Sequence, residues 1–389
     1  MSRKVPHVAD RMADIQPFHV MDLLARARQL ESEGRSIVHM EIGEPDFVTP
    51  RPIVEAGRRA LADGRTHYTP ALGIDPLREA IAAHYQQQYG VGIDPGSVIV
   101  TPGSSGALQL VCGVLINPGE RLLMADPGYP CNRHFVRLVE GRATPVPVGA
   151  ESGYQLTAEL VERHWNEATV AALAASPSNP TGTVISSEEL RAISDVVDEK
   201  GGSLIVDEIY HGLVYDSEVG TVLSVDPDAF VVNSFSKYYG MTGWRIGWLV
   251  APPDYVREIE KLAQNIFIAA AAPAQYAALA AFEPEARTIM EERKEAFRQR
   301  RDYLLPALRE LGFRIPVTPQ GAFYIYADCS AFTDDSYQFA MRLLEEAGVA
   351  ITPGIDFGNH RPSEHVRFAY TTSMQQLEKG VERLRRFLG

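Results

Sequence analysis

The chain has 389 residues, of which 45% are hydrophobic and 22% charged, a composition typical of a globular protein with an ample core. Its net charge of −13 argues against a nucleic-acid-binding surface. The three cysteines are scattered and form no CxxC pair, which argues against a disulfide framework or a zinc site. No apolar stretch reaches the ~20 residues of a membrane span. We therefore expect a cytoplasmic protein without a metal site that binds neither nucleic acid nor membranes.

The elements predicted along the chain begin with an amphipathic helix over residues 15–33 and a strand over 37–42. Short apolar runs then predict seven strands, at 98–101, 121–125, 144–148, 170–176, 203–207, 230–234 and 245–251. Helical patterns lie between them, for example at 105–115 and 187–199, so we expect a mostly parallel sheet. The alanine-rich residues 266–283 are interpreted as one buried helix.

The C-terminal part of the chain has a different organisation. A long charged helix is predicted over 284–311. Further strands are predicted at 322–326, 349–352 and 365–368, and helices at 336–347 and 374–387. The sequence thus predicts the α/β class, with a large domain over residues 50–285 whose seven-stranded, mostly parallel sheet is covered by helices. A smaller α+β domain would combine residues 1–49 and 286–389.

Residues 234–248, SFSKYYGMTGWRIGW, place a lysine among aromatic residues and glycines directly after a predicted strand. A lone lysine in that position is usually a solvated surface residue, but the aromatic neighbours argue against that reading here. Lysine becomes a nucleophile when its surroundings lower its pKa, and it then forms Schiff bases with aldehydes. We interpret Lys237 as the residue that binds the aldehyde of pyridoxal phosphate.

Polar side chains follow several of the predicted strands. In open parallel sheets, ligands bind at the carboxyl ends of the strands. The residues found there are Ser104, Ser105, Asn179, Asp207, Tyr210, Ser234, Ser236 and Lys237. Each of these alone is typical of a helix cap or a turn, but their collection at one sheet edge predicts a single cofactor site.

The phosphate of the cofactor would lie at the helix that starts at residues 103–106. Such a helix start offers unpaired N–H groups and the positive end of the helix dipole. The hydroxyls of Ser105, Ser234 and Ser236 would donate to the phosphate oxygens, and Arg245 would pair with the dianion.

The pyridine ring would be held by three other side chains. Asp207 would keep the ring nitrogen protonated, which makes the ring an electron sink. Asn179 and Tyr210 would donate hydrogen bonds to the oxygen on the ring. Together with Lys237, these groups account for every functional part of pyridoxal phosphate.

Sequence blocks along nearly the whole chain resemble those of the class I/II (fold type I) pyridoxal-phosphate aminotransferases. The blocks are EIGEPDF at 41–47, YTPALG at 68–73, DPGYP at 126–130, SNPTG at 178–182, DEIY at 207–210, SFSK at 234–237 and VRFA at 366–369. Their order and spacing are specific to that family, whereas any one block is weak. The resemblance implies ping-pong transfer of an α-amino group from an amino acid to a 2-oxo acid, either 2-oxoglutarate or pyruvate.

The resemblance also assigns roles to individual residues. Lys237 matches the Schiff-base lysine that shuttles the proton, and Tyr129 matches the aromatic residue that stacks on the ring. Ser104 joins the phosphate contacts. Tyr68 matches a tyrosine that reaches the phosphate of the neighbouring subunit, which implies a homodimer with shared active sites.

Substrate contacts are implied at three positions. Arg367 matches the arginine that grips the substrate α-carboxylate, with Gly43 and Asn179 close to it. A planar, permanently charged fork suits a planar carboxylate.

The sequence departs from the aspartate-preferring branches of the family. No arginine stands in residues 265–273, and no lysine replaces Ser105. Both absences argue against a strict preference for dicarboxylates, and an alanine-like or aromatic donor fits at least as well. Ile15, Phe18 and Phe357 are candidates for an apolar side-chain pocket.

Other functions stay open at this point. A carbon–sulfur β-lyase or a cyclopropane-forming synthase would share the fold, the cofactor and the first chemical step. A ligand-sensing regulator would need a DNA-binding extension, for which the chain leaves no room before the predicted first helix. A nicotinamide-binding protein is disfavoured because the turn TPGSSG at 101–106 lacks the G-x-G-x-x-G spacing.

Overall fold

The computed structural model of the protein describes residues 7–389. Its α-helices are α1 (His19–Ser32), α2 (Arg51–Ala62), α3 (Asp75–Tyr89), α4 (Gly103–Leu115), α5 (Cys131–Leu138), α6 (Ala158–His164), α7 (Ser187–Glu199), α8 (Pro253–Ile266), α9 (Ala272–Leu279), α10 (Pro284–Glu310), α11 (Ser336–Arg342) and α12 (Met374–Leu388). Its strands are β1 (Val38–His39), β2 (Val98–Thr101), β3 (Arg121–Asp126), β4 (Arg142–Pro147), β5 (Thr169–Ala175), β6 (Ser203–Asp207), β7 (Phe230–Ser234), β8 (Gly247–Val250), β9 (Tyr324–Asp328), β10 (Val349–Ala350), β11 (Thr352–Pro353) and β12 (His365–Ala369).

A seven-stranded sheet forms the centre of the larger part of the molecule, in the order β2-β8-β7-β6-β5-β3-β4. Strand β8 runs antiparallel to both β2 and β7, and the other neighbours are parallel. Both faces are covered, because alternate residues along a strand enter different apolar clusters. On β6, Leu204 and Val206 belong to one cluster and Ile205 to the other. The predicted seven-stranded, mostly parallel α/β sheet is confirmed.

The N- and C-terminal segments combine into a third apolar cluster, separate from the two that cover the large sheet. Strands β11, β12 and β9 form an antiparallel sheet, and β1 pairs in parallel with β10. Helices α1, α10 and α12 contribute Leu23, Leu304 and Leu384 to the same cluster, all fully buried. This arrangement agrees with a smaller α+β domain, whose boundaries at residues 50 and 285 stay a prediction.

Several predicted elements are wrong in detail. The strand predicted at 349–352 is two short strands, β10 and β11, which belong to different sheets. Residues 266–283 are not one helix, because the chain breaks between α8 and α9, where Ile268 has a φ of +67° and is exposed. Pro273 lies in the first turn of α9 and lacks the N–H that would continue a preceding helix. Strand β8 begins at Gly247 instead of residue 245, because Arg245 adopts a left-handed conformation with φ +52°.

The sheet brings several loops to one edge. The carboxyl ends of β5, β6 and β7 are neighbours in a parallel arrangement. Asp207 is the last residue of β6, and Asn179 and Lys237 lie in the loops after β5 and β7. Helix α1 and strand β11 contribute side chains from the other side of the same region. The fold therefore gathers its polar loop residues at the place where open parallel sheets bind ligands.

Candidate active site

A cavity of about 470 Å³ lies at this edge of the sheet, a size suited to a small ligand. Most of the residues predicted for the site line it. They are Gly43, Ser104, Ser105, Tyr129, Asn179, Asp207, Tyr210, Ser236, Lys237, Arg245 and Arg367. Residues from β5, β6, β7, α4 and the second domain thus converge on one cavity, as the strand-end pattern predicts.

Three predicted residues do not line the cavity. Ser234 is buried, and its hydroxyl lies 2.9 Å from Ser236 Oγ and 3.2 Å from Ile246 O. It therefore lies behind Ser236 as seen from the cavity, and its predicted direct contact with phosphate stays a prediction. Tyr68 is 84% exposed on the surface. Ile15 is also outside the lining, in the segment before α1, whereas Phe18 and Phe357 are part of it.

Lys237 faces the cavity from the loop after β7. Its Nζ donates a hydrogen bond to Gly43 O at 2.6 Å. Burial, the largest cause, and the Arg367 cation together lower the pKa of this amine from 10.5 to about 8, while the Glu44 carboxylate opposes the change. A lysine with a lowered pKa carries a larger share of neutral, nucleophilic amine near neutral pH.

Tyr324 on β9 is a cavity residue that the sequence did not reveal. Its hydroxyl lies 2.9 Å from the Tyr210 hydroxyl, and its ring centroid lies 4.2 Å from the Arg367 guanidinium carbon. The Tyr324 side chain also explains why residue 43 is a glycine, because a Cβ at that position would stand 2.0 Å from Tyr324 Oη. The predicted strand at 322–326 contains Tyr324, but only the fold shows that this side chain faces the cavity.

Asp207 ends β6 as a buried carboxylate. Its Oδ1 accepts one hydrogen bond, from Ile209 N at 3.1 Å. Burial raises the pKa of this carboxyl to about 6, although the N–H of Ile209 and the charge of Lys237 oppose the change. A buried carboxylate with so few donors is stabilised by a cation or an N–H from a ligand. The site therefore fits the protonated nitrogen of a pyridine ring.

The start of α4 forms a cradle for an anion. Its N-cap residue, Pro102, provides no side-chain hydrogen bond, so the first N–H groups of the helix have no cap from that residue. Gly103 has a φ of +70°, and a Cβ there would lie 2.6 Å from Arg245 Nη2. A phosphate site typically combines the positive end of a helix dipole, free N–H groups and a guanidinium, and all three meet here. Ser104 and Ser105 line the same corner.

Arg367 on β12 is a buried guanidinium held in one plane. Its Nη1 donates to Asn179 Oδ1 at 2.8 Å, and its Nη2 donates to Glu41 O at 2.7 Å and to Thr352 Oγ1 at 3.2 Å. Its Nε is buried and has no hydrogen-bond partner among the described residues. A rigid fork with an unused donor suits a planar carboxylate. The sequence did not single out Thr352.

The remaining lining is largely apolar. Helix α1 and the residue before it contribute Phe18, Val20, Met21 and Leu24, and Phe357 faces them from the loop after β11. Among the described residues that line the cavity, three carry a positive charge: Lys237, Arg245 and Arg367.

Two further observations concern residues 7–389 as a whole. No group of histidine, cysteine, aspartate or glutamate side chains there has the arrangement of a metal site. Over the same residues, no helix combines the length and the apolar character that crossing a membrane requires.

Comparison with known proteins identifies the family. Residues 35–384 match the family model "Aminotransferase class I and II". The chain is 38% identical to the (5-formylfuran-3-yl)methyl phosphate transaminase of Methanocaldococcus jannaschii, over 98% of this chain and 99% of the relative. It is 38% identical to the valine–pyruvate aminotransferase of Mycobacterium tuberculosis, over 96% of each. A crystal structure of an aminotransferase from Mycobacterium tuberculosis superposes with a TM-score of 0.95 at 39% identity, covering 99% of both chains. The chain therefore belongs to the class I and II aminotransferases and is an enzyme of amino-group transfer.

Proposed function

We propose that this aminotransferase holds pyridoxal phosphate at Lys237 and transfers amino groups from uncharged amino acids with apolar side chains to a small 2-oxo acid. The observation that carries the proposal is the set of three cations in the cavity. Lys237 is the reactive amine, and Arg245 lies at the anion cradle. Arg367 is the guanidinium that would bind the substrate α-carboxylate. A second substrate carboxylate would have no cation to pair with among the described lining residues.

The cofactor would be held by the groups whose geometry fits it. The start of α4 and Arg245 would bind the phosphate, and Asp207 would bind the ring nitrogen. Asn179 Nδ2 would donate to the ring oxygen, and the Tyr210 hydroxyl would also donate to it while accepting from the Tyr324 hydroxyl. Tyr129 would lie against the ring face. When bound, pyridoxal phosphate supplies an aldehyde carbon for the amino group and a ring that accepts electrons. The family is in general dependent on this cofactor, which supports the assignment.

Lys237 and Arg367 would act on the substrate. The guanidinium of Arg367 binds the α-carboxylate and so fixes the orientation of the α carbon. Once its amine is released from the cofactor aldehyde, Lys237 Nζ would take up the substrate α-proton, a task that suits an amine with a pKa near the working pH. The carbonyl of Gly43, which accepts from this amine, holds it at the cavity side of the loop.

The donor side chain would lie against the apolar wall built by α1 and Phe357. Aliphatic carbons buried there gain about 0.8 kcal/mol each. A carboxylate in the same place would share the cavity with the carboxylates of Glu41, Glu44 and Asp356, all members of the lining, and would have no spare cation. Pyruvate is favoured over 2-oxoglutarate as acceptor for the same reason. The relative named valine–pyruvate aminotransferase agrees with this choice.

A homodimer with shared sites is part of the proposal. Tyr68 and Val48 are 84% and 81% exposed, and Ile266 and Ile268 are also exposed apolar residues. Gln275 Nε2 donates to Thr69 Oγ1 and to Ala270 O, both at 2.9 Å, which connects the Tyr68 segment to the break between α8 and α9. Large exposed apolar residues of this kind support a contact with a second chain. Light scattering of the purified protein should give twice the chain mass, and a monomer would contradict this part.

The amino donor is identified by mixing the pyridoxal-phosphate-loaded protein with single amino acids and recording the cofactor absorption. We expect valine, leucine and related donors to convert the cofactor at concentrations at which aspartate does not. Preferential reaction with aspartate would overturn the donor assignment. Pyruvate and ammonia released from a cysteine conjugate without an oxo acid would indicate the β-lyase instead.

A further inference from the structure

The start of α1, from its N-cap to its second turn, carries much of the apolar wall of the cavity. Phe18, Val20, Met21 and Leu24 all line it. The N-cap position, Phe18, has no side chain that can accept from the first N–H groups of the helix. Those groups need a partner from elsewhere, because unsatisfied N–H groups loosen a helix start.

The partner is the carboxylate of Asp356. Its Oδ1 accepts from His19 N at 2.8 Å, and its Oδ2 accepts from Val20 N at 2.9 Å. Asp356 is 337 residues away from His19 in the sequence and is buried. A negative charge at a helix start also interacts favourably with the helix dipole. The beginning of α1 is thus fixed by the loop after β11 and not by its own sequence.

That loop is itself fixed to the large sheet. The carboxylate of Asp126, at the end of β3, accepts from Asn359 N at 2.9 Å. The contact is so close that a Cβ at Gly358 would stand 1.6 Å from Asp126 Oδ1. Arg133 Nη2 donates to Asp356 O at 2.8 Å. Asp356 is therefore a rigid anchor that connects α1 to the same sheet edge that carries Asp207 and Lys237.

The rest of α1 is held by different contacts. Arg26 pairs with Glu345, and Glu31 pairs with His39. Leu23, Ala27 and Leu30 are buried in the third apolar cluster, formed by the N- and C-terminal segments. Loss of the Asp356 carboxylate would therefore release the first turn and leave the remainder of the helix in place.

We propose that Asp356 is a positioning residue for the donor side chain: by fixing the start of α1, it sets the affinity for donors with large apolar side chains. This inference rests on the proposed function. Leucine has three more carbons than alanine, and each buried carbon is worth about fourfold in affinity. The wall should thus matter for leucine far more than for alanine, whose single methyl group gains little from it.

The test compares the half-reactions of leucine and alanine in Asp356→Ala, Asp356→Asn and the wild type, each loaded with pyridoxal phosphate. We expect Asp356→Ala to raise the ratio of the leucine KM to the alanine KM about tenfold. Asp356→Asn keeps an oxygen acceptor and should recover part of the change. The matched control is Ser186→Ala, which removes the cap of α7, a helix that does not line the cavity. The control should leave the ratio as it is.

Hydrogen exchange gives a readout that does not depend on activity. In Asp356→Ala, amides of residues 19–22 should exchange faster, while those of residues 26–32 keep their wild-type rates. Equal rises in both KM values, or unchanged exchange at the start of α1, would overturn the role of Asp356. Failure of the proposed function looks different, because wild-type protein would then react with neither leucine nor alanine.

Discussion

Lys237 should titrate far below an ordinary lysine. The pKa of its amine is about 8 instead of 10.5, and burial is the largest cause. At 1.36 kcal/mol for each pH unit, this difference corresponds to at most about 3.4 kcal/mol against the charged form, less to the extent that the cavity admits water. At pH 7.5 about a quarter of the Lys237 amines would be neutral, compared with about one in a thousand at a pKa of 10.5.

Two substitutions should move this pKa in opposite directions. Arg367→Met removes a cation that lowers the pKa of Lys237, so the midpoint should rise. Glu44→Gln removes a carboxylate that raises it, so the midpoint should fall. Both positions line the cavity, and neither change removes the amine.

The measurement is competitive acetylation of the cofactor-free protein with trace acetic anhydride between pH 6 and 11, because the reagent modifies only neutral amines. Mass spectrometry of the peptides gives the extent of modification at Lys237 at each pH, and the exposed Lys200 in the same sample provides the reference. A midpoint for Lys237 above pH 10 would refute the reasoning. So would shifts of the same sign in the two variants, since their charges are opposite.

Three further predictions concern other parts of the site and its support. Arg367→Lys should raise the donor KM at least thirtyfold, about 2 kcal/mol, in steady-state assays, because one ammonium cannot replace the fork; unchanged cofactor affinity in an absorption titration separates this from general damage. Tyr324→Phe should lower the free energy of unfolding in urea by about 1–3 kcal/mol, because it leaves the buried Tyr210 hydroxyl without its partner, and no change would contradict that bond. The Glu41 carboxylate raises the pKa of His39 to about 9. The stability advantage of the wild type over His39→Gln should therefore be complete below pH 6.5 and lost by about pH 9 in urea titrations, with a size of about 1–2 kcal/mol after allowance for solvent screening.

The parts of the fold that the sequence predicted well have strong local signals. The predicted strand at 203–207 and the predicted helix at 187–199 have the bounds of β6 and α7. A continuous apolar run predicts the strand β6. The N-cap Ser186, followed by two glutamates, predicts where the helix α7 begins. The gathering of Asp207 and Lys237 at one edge then follows from the parallel order of the strands.

The features that the sequence could not supply depend on contacts between distant segments. Asp356 caps a helix 337 residues away, and no local pattern marks such a cap. Tyr324 lies inside a predicted strand, but its orientation toward the cavity is set by the packing of β9 against β12. The apolar neighbours of Arg245 predict a strand at this position, whereas the chain turns there with a positive φ. Tyr68 is exposed in the single chain, so its predicted contact with a phosphate requires a second copy of the chain.

The most direct test of the central claim is the position of the covalent label after the protein has been loaded with pyridoxal phosphate and reduced with borohydride. The account predicts one label per chain, on the peptide that contains Lys237, and none in Lys237→Ala. A label on another lysine, or no uptake of pyridoxal phosphate by the folded protein, would contradict it.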